Sequence, residues 1–97
     1  MPFAVFTFGG SDYEIKNYTL TTSFQKIQFA GKNIKGFLMK TKEFNAELEL
    51  VRNDGDANIL TIPPGTPFPG NFQTGDGILG WVRVTKGSAN LQVLATF

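Results

Sequence analysis

Apolar residues recur at every second position along most of this chain, and that period predicts strands. In EFNAELELV (43–51), Phe44, Ala46, Leu48 and Leu50 step by two and turn inward, with Glu43, Glu47 and Glu49 outward. Glu and Leu also favour helix, but a helix would spread that apolar set around its circumference. NLQVLATF (90–97) repeats the pattern, with Leu91, Val93, Ala95 and Phe97 on one face. EIKNYTL (14–20) puts Glu14, Lys16 and Tyr18 on one face and Ile15 and Thr19 on the other, and Leu20 breaks strict alternation. In SFQKIQFA (23–30), Ile27 and Phe29 share a face while Phe24 is out of phase, which predicts a bulge or break near Gln25. FAVFTF (3–8), NIKGFLMK (33–40), NILTI (58–62) and ILGWVRV (78–84) complete the set. In the last of these, Trp81 alternates with Leu79 and Arg83, while Ile78, Val82 and Val84 take the opposite face.

Between these segments lie turn residues. NDGD (53–56) favours a tight turn because Asn, Asp and Gly tolerate positive φ. KGSA (86–89) is a second turn. Prolines 63, 64, 67 and 69 end the strand before them, since proline cannot donate to a ladder. No stretch of adequate length has a period of 3.6, and turns arrive about every eight to twelve residues, the spacing of a small all-β fold. The expectation is one β domain over 1–97, an antiparallel sandwich or small barrel of about seven to eight strands, with a Pro/Gly-rich loop at 63–77.

Length and composition narrow the picture. A 97-residue chain of this mass exposes roughly 5,500 Å² folded against about 15,500 Å² unfolded, enough burial for independent folding but not for a deep enzyme cleft as well. Ten phenylalanines are many for one thin core, so some are expected to face a partner subunit. Formal net charge is +1, which gives no electrostatic footprint for nucleic acid or an anionic membrane. No cysteine or histidine occurs. That removes disulfides, thiolate metal sites, the commonest metal ligand and the usual general base near neutral pH. MPFAVFTF lacks a basic leader and a small-residue cleavage pattern, so it does not read as a signal peptide. No apolar run reaches the ~20 residues of a spanning helix. The expectation is a protein without cofactor or metal, binding neither nucleic acid nor membrane.

Few residues propose chemistry. Turn preferences account for Asp54, Asp56 and Asp76, and no calcium-loop pattern accompanies them. Glu47 and Glu49 lie about 7 Å apart along one strand face, but alternating charge is the ordinary dress of a solvated strand. Without histidine there is no Ser–His pair. GGSD (9–12) lacks the lysine and following helix of a phosphate cradle. PPGTPFPGNF (63–72) contains no ionisable side chain, whereas an active-site loop brings acids, bases or nucleophiles. It reads as a preshaped arm or crossover that packs Phe68 and Phe72 against its own sandwich or a neighbour. Trp81 and Arg83 sit on the less buried side of their strand, where an aromatic often marks a contact surface.

The last third of the chain carries a distinctive order of parts. A strand closes in Ile62-Pro63-Pro64-Gly65-Thr66, and a loop leads to Gly77-Ile78-Leu79-Gly80-Trp81-Val82-Arg83. A Gly87-Ser88-Ala89 turn then precedes Asn90-Leu91-Gln92-Val93-Leu94. In this, residues 59–97 resemble the ending of small all-β accessory virion proteins of tailed bacteriophages, of the capsid decoration (cement) type. The resemblance implies a non-catalytic structural protein carried in the virion after synthesis in the host cytoplasm. Its partners would be the major capsid protein or other virion subunits. Together with the aromatic surplus it implies a homo-oligomer, and a trimer would match the local three-fold positions of an icosahedral shell. The expected partner-binding residues are Phe68, Phe72, Trp81 and Arg83. The alternative is a carbohydrate- or host-receptor-binding β module using aromatics around Trp81.

Overall fold

The computed structural model describes residues 10–71 and 75–97. The strand expected over 3–8 and the side chain of Phe72 lie outside them. Eight strands follow one another: β1 (Tyr13–Leu20), β2 (Gln25–Gln28), β3 (Gly36–Thr41), β4 (Leu48–Val51), β5 (Leu60–Ile62), β6 (Phe68–Gly70), β7 (Ile78–Val84) and β8 (Ala89–Thr96). They form two four-stranded sheets, ordered β1-β8-β3-β6 (sheet A) and β2-β7-β4-β5 (sheet B). Every ladder is antiparallel. Among the described residues no ladder joins the two sheets and there is no helix. The expected all-β class is therefore met by a sandwich with open edges.

The connectivity follows from one long hairpin rolled up on itself. The pairs β4·β5, β3·β6, β2·β7 and β1·β8 nest one inside the next around the NDGD turn. Every connection except β4–β5 crosses from one sheet to the other. This is the jelly-roll plan, shared by viral capsid subunits, lectins and cupins, so the fold alone selects no function. Because the hairpin is folded double, its crossings run side by side and are stapled together. Phe29 N–H donates to Gly77 O (3.0 Å) and Val84 N–H to Thr21 O (3.0 Å). The Asp76 carboxylate accepts from Gly31 N–H (2.8 Å) and from the Gln28 side chain (3.2 Å). Gly77, at φ +71, comes so close to Phe29 that a Cβ there would overlap its carbonyl. The Pro/Gly segment is one of these crossings. It leaves sheet B at Ile62 and joins sheet A as β6, an edge strand where the missing N–H of Pro69 is tolerated.

Inward residues of both sheets make one core, including Leu20, Phe37, Met39, Leu91 and Val93 from sheet A and Ile27, Leu48, Leu50, Val82 and Val84 from sheet B. Each such side chain contributes about 1.5–3 kcal/mol of burial. Phe68 packs onto the core through Phe37, with ring centroids 6.1 Å apart and tilted by 45°. Among the described residues no polar or charged side chain is buried.

Three local expectations are corrected. Phe44 does not turn inward: it is 90% exposed, because β4 begins only at Leu48 and residues 42–45 form the turn between the sheets. The step-by-two pattern holds from Ala46 onward. Leu79 does not share the face of Trp81. The β2·β7 register pairs Ile27 with Gly80 but Gln28 with Ile78, so a bulge turns Leu79 into the core. The bulge needs Gly80, at φ +142, where a Cβ would stand 2.7 Å from the Val51 carbonyl oxygen. The strand break expected near Gln25 is where β2 begins, and the register shift falls further on, between Ile27 and Gln28. In β1, Leu20 continues the Glu14–Lys16–Tyr18 phase and is fully buried.

Candidate functional site

The outer face of sheet B carries Trp81 and Arg83. Trp81 stands between Lys26 of β2 and Val51 of β4. Val51 points away from the core cluster yet is only 2% exposed. Arg83 donates from Nε to Glu49 Oε1 (2.8 Å). Its guanidinium carbon also lies 4.3 Å from the centroid of the Phe24 ring, a cation–π contact. Phe24, out of phase in the sequence, is thus used on this surface. Arg83 is engaged within its own face, and Trp81 stands half-buried beside it.

The outer face of sheet A differs. Register places Ile15 opposite Leu94, Leu94 opposite Leu38 and Leu38 opposite Pro69. The result is an apolar row across all four strands. Ile15 is 49% and nearby Tyr13 64% exposed. Lys40 and Gln92 border the row, and a shallow hollow of 240 Å³ lies over Ile15, Leu38 and Leu94. An outward sheet face is ordinarily polar, so an apolar row here is a candidate contact surface.

The two lateral sides of the sandwich also differ. On the β1/β2 side, the inward phase of β1 is polar. Lys16 Nζ donates to Gln28 O (2.9 Å), with its ammonium 5.0 Å from the centroid of the Phe29 ring. Tyr18 donates its hydroxyl to the same carbonyl (3.3 Å) and accepts from Gln28 N–H (3.4 Å). Burial pushes the Tyr18 phenol above its usual 10.0, partly offset by the bond to Gln28. Stems cover the core edge while tips stay hydrated, and inward charges at an edge also deter strand addition. On the β5/β6 side nothing equivalent closes the gap among the described residues. A groove of 450 Å³ opens there, floored by Leu50, Ile59, Leu60 and Phe68 and rimmed by Arg52, Asp56 and Asn58. Phe68 is therefore half-buried, with one side on Phe37 and the other on this groove.

The β3–β4 turn that exposes Phe44 is rigidly held. The Glu43 carboxylate accepts from Asn90 N–H (2.8 Å) and from the Asn90 side-chain amide (2.8 Å). Lys42 N–H donates to Asn90 O (2.9 Å), and the Thr41 hydroxyl to Glu43 O (2.9 Å). The bonds from the Asn90 backbone and side chain hold the Glu43 carboxyl below its ordinary 4.5.

The structure thus brings Trp81 and Arg83 together, puts Phe68 on a different surface, and leaves Phe72 outside the described residues. The apolar surface residues missed by the sequence reading are Ile15, Phe44, Ile59 and Leu60, which are exposed, and Leu38 and Leu94, which are half-buried. A signal for three of them was present. Ile15, Leu38 and Leu94 are apolar residues in the outward phase of their strands. Their alignment into a row depends on register between β1, β8 and β3. Among the described residues no group of three or more acidic, histidine or cysteine side chains is placed to hold a metal ion. No protein family, no curated protein and no solved structure matches this chain.

Proposed function

We propose that this is a non-catalytic structural virion protein, a capsid decoration (cement) protein that stabilises a shell by burying the outer face of sheet A between neighbouring subunits. The virion setting comes from the resemblance of residues 59–97. The docking mode rests on one observation, the row Ile15–Leu94–Leu38–Pro69 aligned across the whole sheet. Apolar surface of this kind on a soluble domain marks an interaction site, and its burial is favourable without any reacting group. The composition suits the role, since it supplies stiffness and apolar contact but neither histidine nor cysteine.

The test is cosedimentation with capsids of the parent phage stripped of accessory proteins. The wild-type protein is expected to pellet with the shells. Ile15→Glu and Leu38→Glu, shown to be folded by circular dichroism, are expected to stay in the supernatant. A wild-type protein that does not bind, or folded variants that bind undiminished, overturns the reading.

A further inference from the structure

An aromatic side chain held in water by a braced turn is costly unless something covers it. Phe44 is 90% exposed, and the turn beneath it is tied to β8 through Glu43, Lys42 and Asn90. The backbone that carries the ring is therefore fixed, which lowers the ordering cost of a contact. At the other end of β4, the groove on the β5/β6 side offers the complementary shape. Ile59 and Leu60 are 43% and 48% exposed along its floor. Its 450 Å³ accommodates a phenyl ring. Charge matches as well. Lys40 and Lys42 flank the Phe44 turn, both exposed. Asp56 rims the groove with exposed Asp54 beside it on the NDGD turn, and the two outnumber Arg52 on the same rim as the two lysines outnumber Glu43 on the turn.

We propose that the protein self-associates, with the Phe44 turn of one copy seated in the Leu50/Ile59/Leu60/Phe68 groove of the next. Knob and groove lie at opposite ends of β4, separated by the strand that runs from the 42–45 turn to the 52–57 turn. One molecule therefore carries both halves of the contact on different surfaces. Repeating such a contact closes a ring when the rotation between copies permits, and a trimer is the smallest closed ring built head to tail. The association uses neither sheet A's outer row nor the virion setting, so it stands or falls apart from the proposed function.

The experiment is solution mass by size-exclusion chromatography with light scattering, over a concentration series. Wild-type protein is expected above monomer mass. Phe44→Ser, which removes a side chain that makes little internal contact, is expected to be a folded monomer. Ile59→Asp, which blocks the groove, is expected to be a monomer too. Each variant retains the half that the other lacks, so mixing them is expected to restore a species of twice the monomer mass, seen by sedimentation at high concentration. A wild-type protein that stays monomeric throughout overturns the proposal. So does an oligomer that survives either substitution, or a mixture that remains monomeric at concentrations where the wild type associates.

Discussion

The two outer faces of this sandwich are built from similar material and used differently. On sheet B, an arginine, a glutamate and a phenylalanine satisfy one another beside a half-buried tryptophan. Arg83 bridges Glu49 and Phe24, and Val51 is closed off beside Trp81. On sheet A, apolar residues are aligned across four strands, with Ile15 and Pro69 exposed at the ends and Leu38 and Leu94 half-buried between them. The difference teaches that a large aromatic is a poor guide to a contact surface in a small β fold. Trp81 is half-buried beside Val51 on its own sheet, while ordinary isoleucine and leucine residues make the aligned row.

Stability measurements can break that comparison. The largest effect is expected for Gly80→Ala. It forces a Cβ against the Val51 carbonyl at the bulge that orders sheet B and should cost about 3 kcal/mol, by analogy with overpacked sites. For a chain this short that lowers the melting temperature by about 15 °C, readable by thermal circular dichroism. Trp81→Ala comes next, at about 2 kcal/mol, less than the cost at a fully buried site because the indole is half-exposed. Arg83→Met keeps the stem but loses the ion pair and the ring contact. The pair's side chains are 33% and 23% exposed, so solvent screening holds the loss to about 0.5–1 kcal/mol. Ile15→Ser, on sheet A's face, should change stability by about 0.5 kcal/mol or less. If it costs as much as Trp81→Ala, the sheet A row is structural and the contrast between the faces fails.

The smallest expected effect concerns pH. Glu43 is held below its ordinary 4.5 by its bonds from Asn90. A depressed carboxyl stabilises the fold above its unfolded value and loses that contribution as pH falls through the folded one. Melting curves of wild type and Glu43→Gln should therefore differ slightly at neutral pH and converge below about pH 4. A gap that persists into acid would mean that Glu43 acts through shape, not charge.

Much of the fold was legible in the residues. Period-two patterns located β7 and β8 to within a residue, and the NDGD turn marked the centre of the rolled hairpin, because strands need alternation and tight turns need residues that tolerate positive φ. The prolines at 63, 64, 67 and 69 announced a crossover. Less legible were the facts that depend on partners distant in the chain. Phe44 fits the alternation of its segment, yet the passage between sheets turns it out. Leu79 fits the outward phase, yet a bulge against β2 turns it in. Lys16 and Tyr18 look like a solvated face and instead close the side of the core against Gln28. Local chemistry sets which residues form strands and where they stop. The pairing of β1 with β8 and of β8 with β3 turns three scattered apolar residues into one surface, because register between strands far apart in sequence is chosen by the packing of the whole core.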